Sequence, residues 1–232
     1  MKRIIKDIFR IFGYHITKFG NTEIMLESFI TRCKKYDDRF FFVQIGANNG
    51  VRYDPIYRIV NELNLEGLVI EPIEEYYNEL VKNYSNNKKV KTVNNAIYSE
   101  NKELTIYKVK KDVCLPDWAN GIASLNPNHH KKTNIAIDSI IEEKVKGITF
   151  DTLIQDHRLT RIDFLQIDTE GYDYNLLKMF PFDKFKPKLI NFEHSLNNGI
   201  MSYEQYDEIH SMLIKMGYRT IMNINDTICY LE

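Results

Sequence analysis

The sequence predicts a doubly wound α/β fold whose sheet is mostly parallel with a C-terminal antiparallel hairpin strand, and three observations predict it. Short apolar runs alternate with helical patterns from residue 40 onward, as in a sheet whose strands are joined by crossover helices. The first run, FFFVQI at 40–45, is apolar at every position but Gln44 and leads into a glycine-bounded loop, Gly46-Ala47-Asn48-Asn49-Gly50. A strand buried on both faces needs that composition. The last two runs, 218–224 and 228–231, flank a turn at Asn225-Asp226 and close the chain as a hairpin.

The elements follow in order. Residues 52–64 carry Ile56, Ile59, Val60 and Leu63 at helical spacing, and 67–71 form a second strand stopped by Pro72. A helix over 73–84 and a third strand over 90–97 come next, then an antiparallel addition over 104–109. Residues 162–167 and 188–192 are two further buried strands, with a short helix over 172–179 between them. A helix over 203–216 ends at Gly217, the usual residue past a helix C-terminus. The stretch 112–138 breaks the alternation. It holds Trp118, Gly121, Asn126, Pro127, His129 and His130 without periodicity, so an inserted loop at about 110–147 is expected to serve as a lid or substrate loop. His129 and His130 read as solvated loop residues, and Trp118 either stacks on a sugar face or packs the loop onto the body.

Two parts are expected. Residues 40–232 fit one core, since a single core remains workable to about 250 residues, and residues 1–39 are a basic amphipathic helix and linker. In that helix Lys2, Arg3, Lys6, Arg10 and Lys18 oppose one acid, Asp7, while Ile4, Ile5, Ile8, Ile11 and Phe12 recur at helical spacing. Its apolar face either caps the domain or a homodimer partner, or rests peripherally on the inner face of an acidic membrane. The formal net charge of −1 offers no general attraction for nucleic acid, and none is expected as a partner. Cys33, Cys114 and Cys229 form no CxxC or zinc-ligand spacing, and no apolar run reaches bilayer length. A cytoplasmic protein is expected.

In a doubly wound sheet the ligand lies beyond the carboxyl ends of the strands, so the loop from Gly46 to Gly50 is the first place to look. Its glycines permit a tight turn but do not make GxGxxG, which favours a ligand without phosphates. Glu71 ends the second strand 21 residues after Gly50, where a carboxylate can accept both ribose hydroxyl hydrogens. A nucleoside is implied, with Asn95 and Ala96 flanking its base. An NAD-dependent oxidoreductase uses a similar acid, although the third glycine is missing; a non-catalytic nucleoside-binding module is another alternative.

The runs VQIGANNG (43–50), VIEP (69–72), NNAIYSE (94–100), FLQIDTEGYDYNLL (164–177) and LINFEHS (189–195) together resemble the FkbM-type methyltransferases that use S-adenosyl-L-methionine (SAM). The most distinctive piece is Ile167-Asp168-Thr169-Glu170-Gly171, similar to that family's I-D-x-E-G signature. The resemblance implies a Rossmann-like class I methyltransferase sheet and, usually, O-methylation. It implies SAM held by Gly46, Asn48, Glu71 and Asn95, and the same site would take in Gln44, Gly50, Ala96 and Asp168. Gln44 departs from the pattern, because many relatives carry an acid there.

Transfer to oxygen requires a base or a metal to activate an alcohol. Asp168, Glu170, Glu193 and His194 stand at or just after two strand ends and are expected to converge. Without metal, His194 is the expected base, oriented by Asp168 or Glu193; with metal, Asp168, Glu193 and His194 would hold a divalent cation such as magnesium. Trp118, Glu170 and His194 are the expected acceptor contacts. The expected activity is methyl transfer to a hydroxyl of a sugar or polysaccharide intermediate, a glycan or small-molecule acceptor.

Overall fold

The computed structural model describes residues 23–110, 119, 121–132 and 135–232. The basic helix expected over the first 19 residues, Cys114 and Trp118 lie outside the described residues. In chain order the elements are α1 (Glu23–Tyr36), β1 (Phe41–Ile45), α2 (Tyr57–Glu62), β2 (Glu66–Ile70), α3 (Glu74–Asn83), β3 (Val90–Val93), β4 (Ala96–Ile97) and β5 (Lys102–Val109). They continue with β6 (Ala123–Ser124), β7 (Ile140–Ile148), α4 (Phe150–His157), β8 (Phe164–Ile167), α5 (Asp173–Met179), β9 (Leu189–Glu193), α6 (Tyr203–Lys215), β10 (Arg219–Met222) and β11 (Asp226–Tyr230).

Among the described residues a seven-stranded sheet runs in the order β10-β11-β9-β8-β1-β2-β3. Strands β3, β2, β1, β8 and β9 are parallel, and β11 is antiparallel to both β9 and β10. The chain builds outward from β1 in one direction through β2 and β3, then returns to build the other way through β8 and β9. The reversal opens a crevice beyond the carboxyl ends of β1 and β8. This is the doubly wound, mostly parallel Rossmann-like sheet with the C-terminal antiparallel strand that the sequence predicts.

The alternation of the strands assigns each side chain to a layer. Val43, Ile45, Leu68, Ile70, Leu165, Ile167, Ile190 and Phe192 pack with Phe150 and Leu153 of α4, Leu176 and Leu177 of α5, and Ile209 and Leu213 of α6. Phe42, Val69, Phe164 and Leu189 face the other way, onto Leu26 and Ile30 of α1, Ile59 and Val60 of α2, and Leu80 of α3. On that second face a polar row crosses the sheet in register, Gln44 beside Gln166 and Gln166 beside Asn191, joined by the Asn191 Nδ2 bond to Gln166 Oε1 at 3.0 Å.

Four segments differ from the sequence reading. Residues 23–36, expected as linker, form α1, whose Leu26 and Ile30 are buried in the core and whose Glu27 pairs with Arg58. The helix expected from residue 52 begins only at Tyr57. Pro55 precedes it, and Asp54 Oδ1 accepts the backbone N–H groups of Ile56 (2.7 Å) and Tyr57 (2.9 Å), which holds the turn that leads into the helix. The strand expected over 90–97 splits at Asn94, whose Nδ2 donates to the carbonyls of Glu71 (2.9 Å) and Pro72 (3.0 Å). The chain then leaves the main sheet for a second one.

That second sheet has the order β4-β7-β5-β6. It occupies part of the stretch read as an inserted loop at 110–147, because Ile140–Ile148 pairs antiparallel with β5 from Lys102↔Gly147 to Val109↔Ile140. The composition IIEEKVKGI hid this strand: Glu142, Lys144 and Lys146 face solvent, while Glu143 pairs with the buried Lys108 at 2.7 Å and Val145 and Ile148 turn inward.

Candidate active site

The loop after β1 is shaped by two backbone facts. Gly46 has φ +81°, and a Cβ there would lie 1.7 Å from the carbonyl oxygen of Asp168, so only glycine lets β1 and β8 end this close together. The N–H groups of Gly46 and Ala47 both donate to the Ile70 carbonyl at 3.0 Å, which ties the loop to the end of β2. Asn48 then takes φ +48°, a conformation asparagine tolerates better than most residues.

Glu71, 4% exposed, sits directly against this turn. Its Oε2 accepts the Asn48 N–H at 2.8 Å and its Oε1 the Ile73 N–H at 2.9 Å. Burial outweighs these two bonds and pushes the carboxyl up to about 7. Each oxygen keeps a further lone pair, which suits a diol presented side-on.

Gly46, Ala47, Asn48 and Glu71 line a cavity of about 600 Å³, within the ordinary range for small-molecule sites. Its wall continues through Tyr76, Asn95, Ala96 and Ile97 on one side and Asp168, Glu170, Tyr172 and Glu193 on the other. The second sheet and the segment after it add Ile106, Ala123, Leu125 and Lys132. The Lys132 Nζ donates to the Gly199 carbonyl, which joins the inserted segment to the loop after β9.

Where β8 and β9 end, three carboxylates meet. Asp168, Glu170 and Glu193 can each present an oxygen within 4.8 Å of the others. Glu193 Oε1 accepts the Ser195 hydroxyl at 2.6 Å, while its Oε2 has no hydrogen-bond partner among the described residues. Glu170 is held in a left-handed conformation, φ +53°. Its carbonyl accepts from Ser124 Oγ (2.8 Å), and its Oε2 lies 3.1 Å from His129 Nε2. Burial first, then repulsion from neighbouring carboxylates, Glu193 and Glu170 for Asp168 and Glu170 and Asp173 for Glu193, raises both well above the usual carboxylate range. Burial also pushes Asp173 and Asp226 up to about 6.

These raised groups fix a sign for stability. A carboxyl whose folded pKa exceeds its unfolded value near 4 binds its proton more tightly in the folded state. This contribution is fully present below the unfolded value and is lost as pH rises from about 4 up through the folded values, about 6 for Asp54, Asp173 and Asp226 and about 7 for Glu71. The ligand-free protein is expected to melt at a higher temperature at pH 5.5 than at pH 8, measured by calorimetry in buffers matched for ionic strength. A flat or opposite trend would mean that these carboxyls are ionised in the fold.

The structure redistributes several expected site residues. Gln44, Gly46, Asn48, Glu71, Asn95, Ala96, Asp168, Glu170 and Glu193 line the one cavity. Gly50 does not: with φ +75°, a Cβ there would sit 2.5 Å from Leu80 Cδ1, so this glycine serves the approach of the loop to α3. His194 is also misplaced by the sequence reading. Strand parity puts it on the face of Phe192, opposite Glu193, and it is 0% exposed against the Tyr206 ring of α6, centroids 5.1 Å apart. It neither lines the cavity nor joins the carboxylates, so the expected base and metal ligand is a buried residue behind the sheet, and burial lowers its pKa. His129 and His130, expected to be solvated, are buried at 3% and 5% exposure.

Asp54, Lys132 and Tyr172 also line the cavity and escaped the sequence reading. Asp54 lay inside the helix expected from residue 52, Lys132 depends on how the insert folds back, and Tyr172 stacks on Tyr98 with ring centroids 5.5 Å apart.

The chain has no significant match among curated protein sequences. Among solved structures it is similar to an O-methyltransferase from Bacillus cereus in complex with SAH, with 10% identity, 93% of this chain and 84% of that one covered, and a TM-score of 0.47. It is also similar to a precorrin-6y C5,15-methyltransferase from Geobacter metallireducens GS-15, with 9% identity, coverage of 94% and 95%, and a TM-score of 0.43. The model of the methyltransferase FkbM domain matches residues 44–220. This span contains both the Gly46 turn with Glu71 and the carboxylate cluster, and the chain belongs to the FkbM-domain methyltransferases.

Proposed function

We propose that this methyltransferase uses SAM to methylate a hydroxyl of a sugar or polysaccharide intermediate. One observation carries the reading: a single cavity is lined by a carboxylate with free lone pairs, Glu71, at the end of β2 and by a carboxylate cluster, Asp168, Glu170 and Glu193, at the ends of β8 and β9. The first suits a ribose, and the second suits a polyhydroxylated acceptor whose hydroxyl must lose a proton. SAM supplies an electrophilic methyl group on a sulfonium. The donor's C–S bond breaks as the C–O bond forms, and the hydroxyl proton passes to a carboxylate. Asp168 and Glu193 are the assigned pair for that proton, because close buried carboxyls share one proton and leave one oxygen basic. Glu170, braced by His129 and Ser124, positions the acceptor. Family membership favours methyl transfer over the hydride-transfer alternative.

A second reading is favoured by the same trio. Oxygen ligands at this spacing suit a hard divalent cation such as magnesium, held by Asp168, Glu170 and Glu193 without His194, and it would lower the pKa of a bound hydroxyl.

The test is calorimetry with SAM and S-adenosylhomocysteine, followed by incubation with labelled SAM and extracted cell-surface glycans, with and without chelator. Saturable binding and a label on a sugar oxygen are expected. No binding of either nucleoside would refute the donor, label on nitrogen or carbon would refute O-methylation, and loss of transfer on chelation would select the metal reading. No described helix is long and apolar enough to cross a membrane.

A further inference from the structure

The direction of α1 fixes where the chain before it arrives. Near its start Glu27 pairs with Arg58, the second residue of α2, which follows the carboxyl end of β1. Just past its other end Asp37 pairs with Arg161 at 2.6 Å and with Lys188 at 3.1 Å, residues that stand just before the amino ends of β8 and β9. Helix α1 therefore runs against the parallel strands, and its first residue stands at their carboxyl-end rim, where the cavity lies. The outer side of that rim is apolar and basic. Tyr53 is 68% exposed and Val51 47%, on either side of Arg52, and Ile224, 70% exposed, precedes Asn225. Arg52, Tyr53, Lys132 and Asn225 also line the cavity. Large apolar side chains gathered in solvent around a pocket mark an interaction surface.

We infer that this rim and the segment preceding α1 rest together on an anionic membrane surface, with the cavity opening onto it. The sequence of residues 1–19 carries Lys2, Arg3, Lys6, Arg10 and Lys18 against Asp7, a net +4 in a chain whose total is −1. Positive charge is thus concentrated in the segment that joins the rim. Its isoleucines recur at helical spacing, so in a helix they share a face that enters the headgroup boundary while the cations stay level with the lipid phosphates. A second copy of the chain, seated rim to rim about a two-fold axis, would instead bring Arg52, Lys132 and these cations against their own kind. The inference deepens the acceptor reading above and rests on it only for the acceptor: a glycan intermediate carried on a lipid would reach the carboxylate cluster from the membrane side.

The test is co-sedimentation of the full chain with vesicles of phosphatidylcholine alone and of phosphatidylcholine mixed with phosphatidylglycerol. Neither contains an acceptor, so docking and acceptor chemistry fail separately. Uptake by the anionic vesicles only is expected, weakening as salt rises. Reversing two charges together, Lys6→Glu with Arg10→Glu, is expected to lower the affinity about 100-fold, since each lost cation contributes and each new anion repels. Ile8→Asp is expected to lower it about tenfold, and Ile224→Glu, on the rim and outside the segment, also about tenfold. Unchanged melting temperatures show that the variants fold. No uptake by anionic vesicles, or equal uptake by neutral ones, would overturn the inference, and full affinity in Ile224→Glu would overturn the rim as the docking face. A dimer in sedimentation velocity that Ile8→Asp breaks, with no vesicle uptake, would give the segment to a second copy instead.

Discussion

Glu71→Ala is expected to weaken SAM and S-adenosylhomocysteine binding at least about 100-fold, because two charge-assisted hydrogen bonds to a ribose, each about 1.5–3 kcal/mol, are lost together. The same change releases the Asn48 and Ile73 N–H groups that Glu71 now accepts, so the turn loses its brace as well as its ligand contact. Glu71→Gln keeps one acceptor and is expected to fall between the two. The wild type has its own signature. With the carboxyl near 7, protonation below that value removes the charge that the hydroxyls need, so affinity is expected to drop about tenfold between pH 8 and pH 6. This runs opposite to the stability trend of the ligand-free protein, which improves as pH falls. Calorimetric titrations at the two pH values check both; pH-independent binding, or full binding by Glu71→Ala, would remove Glu71 from the site.

Gly46→Ala is expected to be the most damaging single substitution in the fold. The new Cβ would lie 1.7 Å from the Asp168 oxygen and 2.8 Å from its carbonyl carbon, and both are backbone. Neither strand can yield, since Asp168 N–H donates to the Ile45 carbonyl and Gly46 N–H to the Ile70 carbonyl, each at 3.0 Å. The left-handed conformation alone costs about 1–2 kcal/mol for an L-residue, and forced overpacking adds about 1–3 kcal/mol. A melting temperature lowered by roughly 6–15 °C is expected. Gly199→Ala is the control: it shares the positive φ, +64°, but nothing lies within 4 Å of its Cβ. It should cost only the conformational part. Equal melting temperatures for the two variants would show that β1 and β8 are not packed as described.

These two residues were legible in the sequence because their roles are local to a strand end: a glycine immediately after an apolar run and an acid immediately after the next. The same logic, carried one step further, would have placed His194. Phe192 belongs to the core, side chains alternate, and so Glu193 and His194 must point to opposite faces; grouping them by nearness to the strand end ignored that parity. The insert was less accessible. Strand β7 carries four charged residues in nine, which masks its alternation, and nothing in the chain order says that Ser124 and His129 return to brace Glu170. Asp54 lay within an expected helix, and its bonds to the Ile56 and Tyr57 N–H groups, in the turn before the helix, emerge only from the structure.

The second sheet closes largely on itself. Its longest pairing, β5 with β7, joins segments separated by one excursion of the chain, and that excursion carries β6, which bears on Glu170 through Ser124. The main sheet is therefore woven from strands spread over the whole described length of the chain, whereas the second sheet is a single excursion spliced in between β3 and β8, tied to the main core through Ile97 and Ile148 and lining the cavity through Ile106 and Ala123. The excursion can therefore change in length between β5 and β7 without breaking any strand pairing of the main sheet.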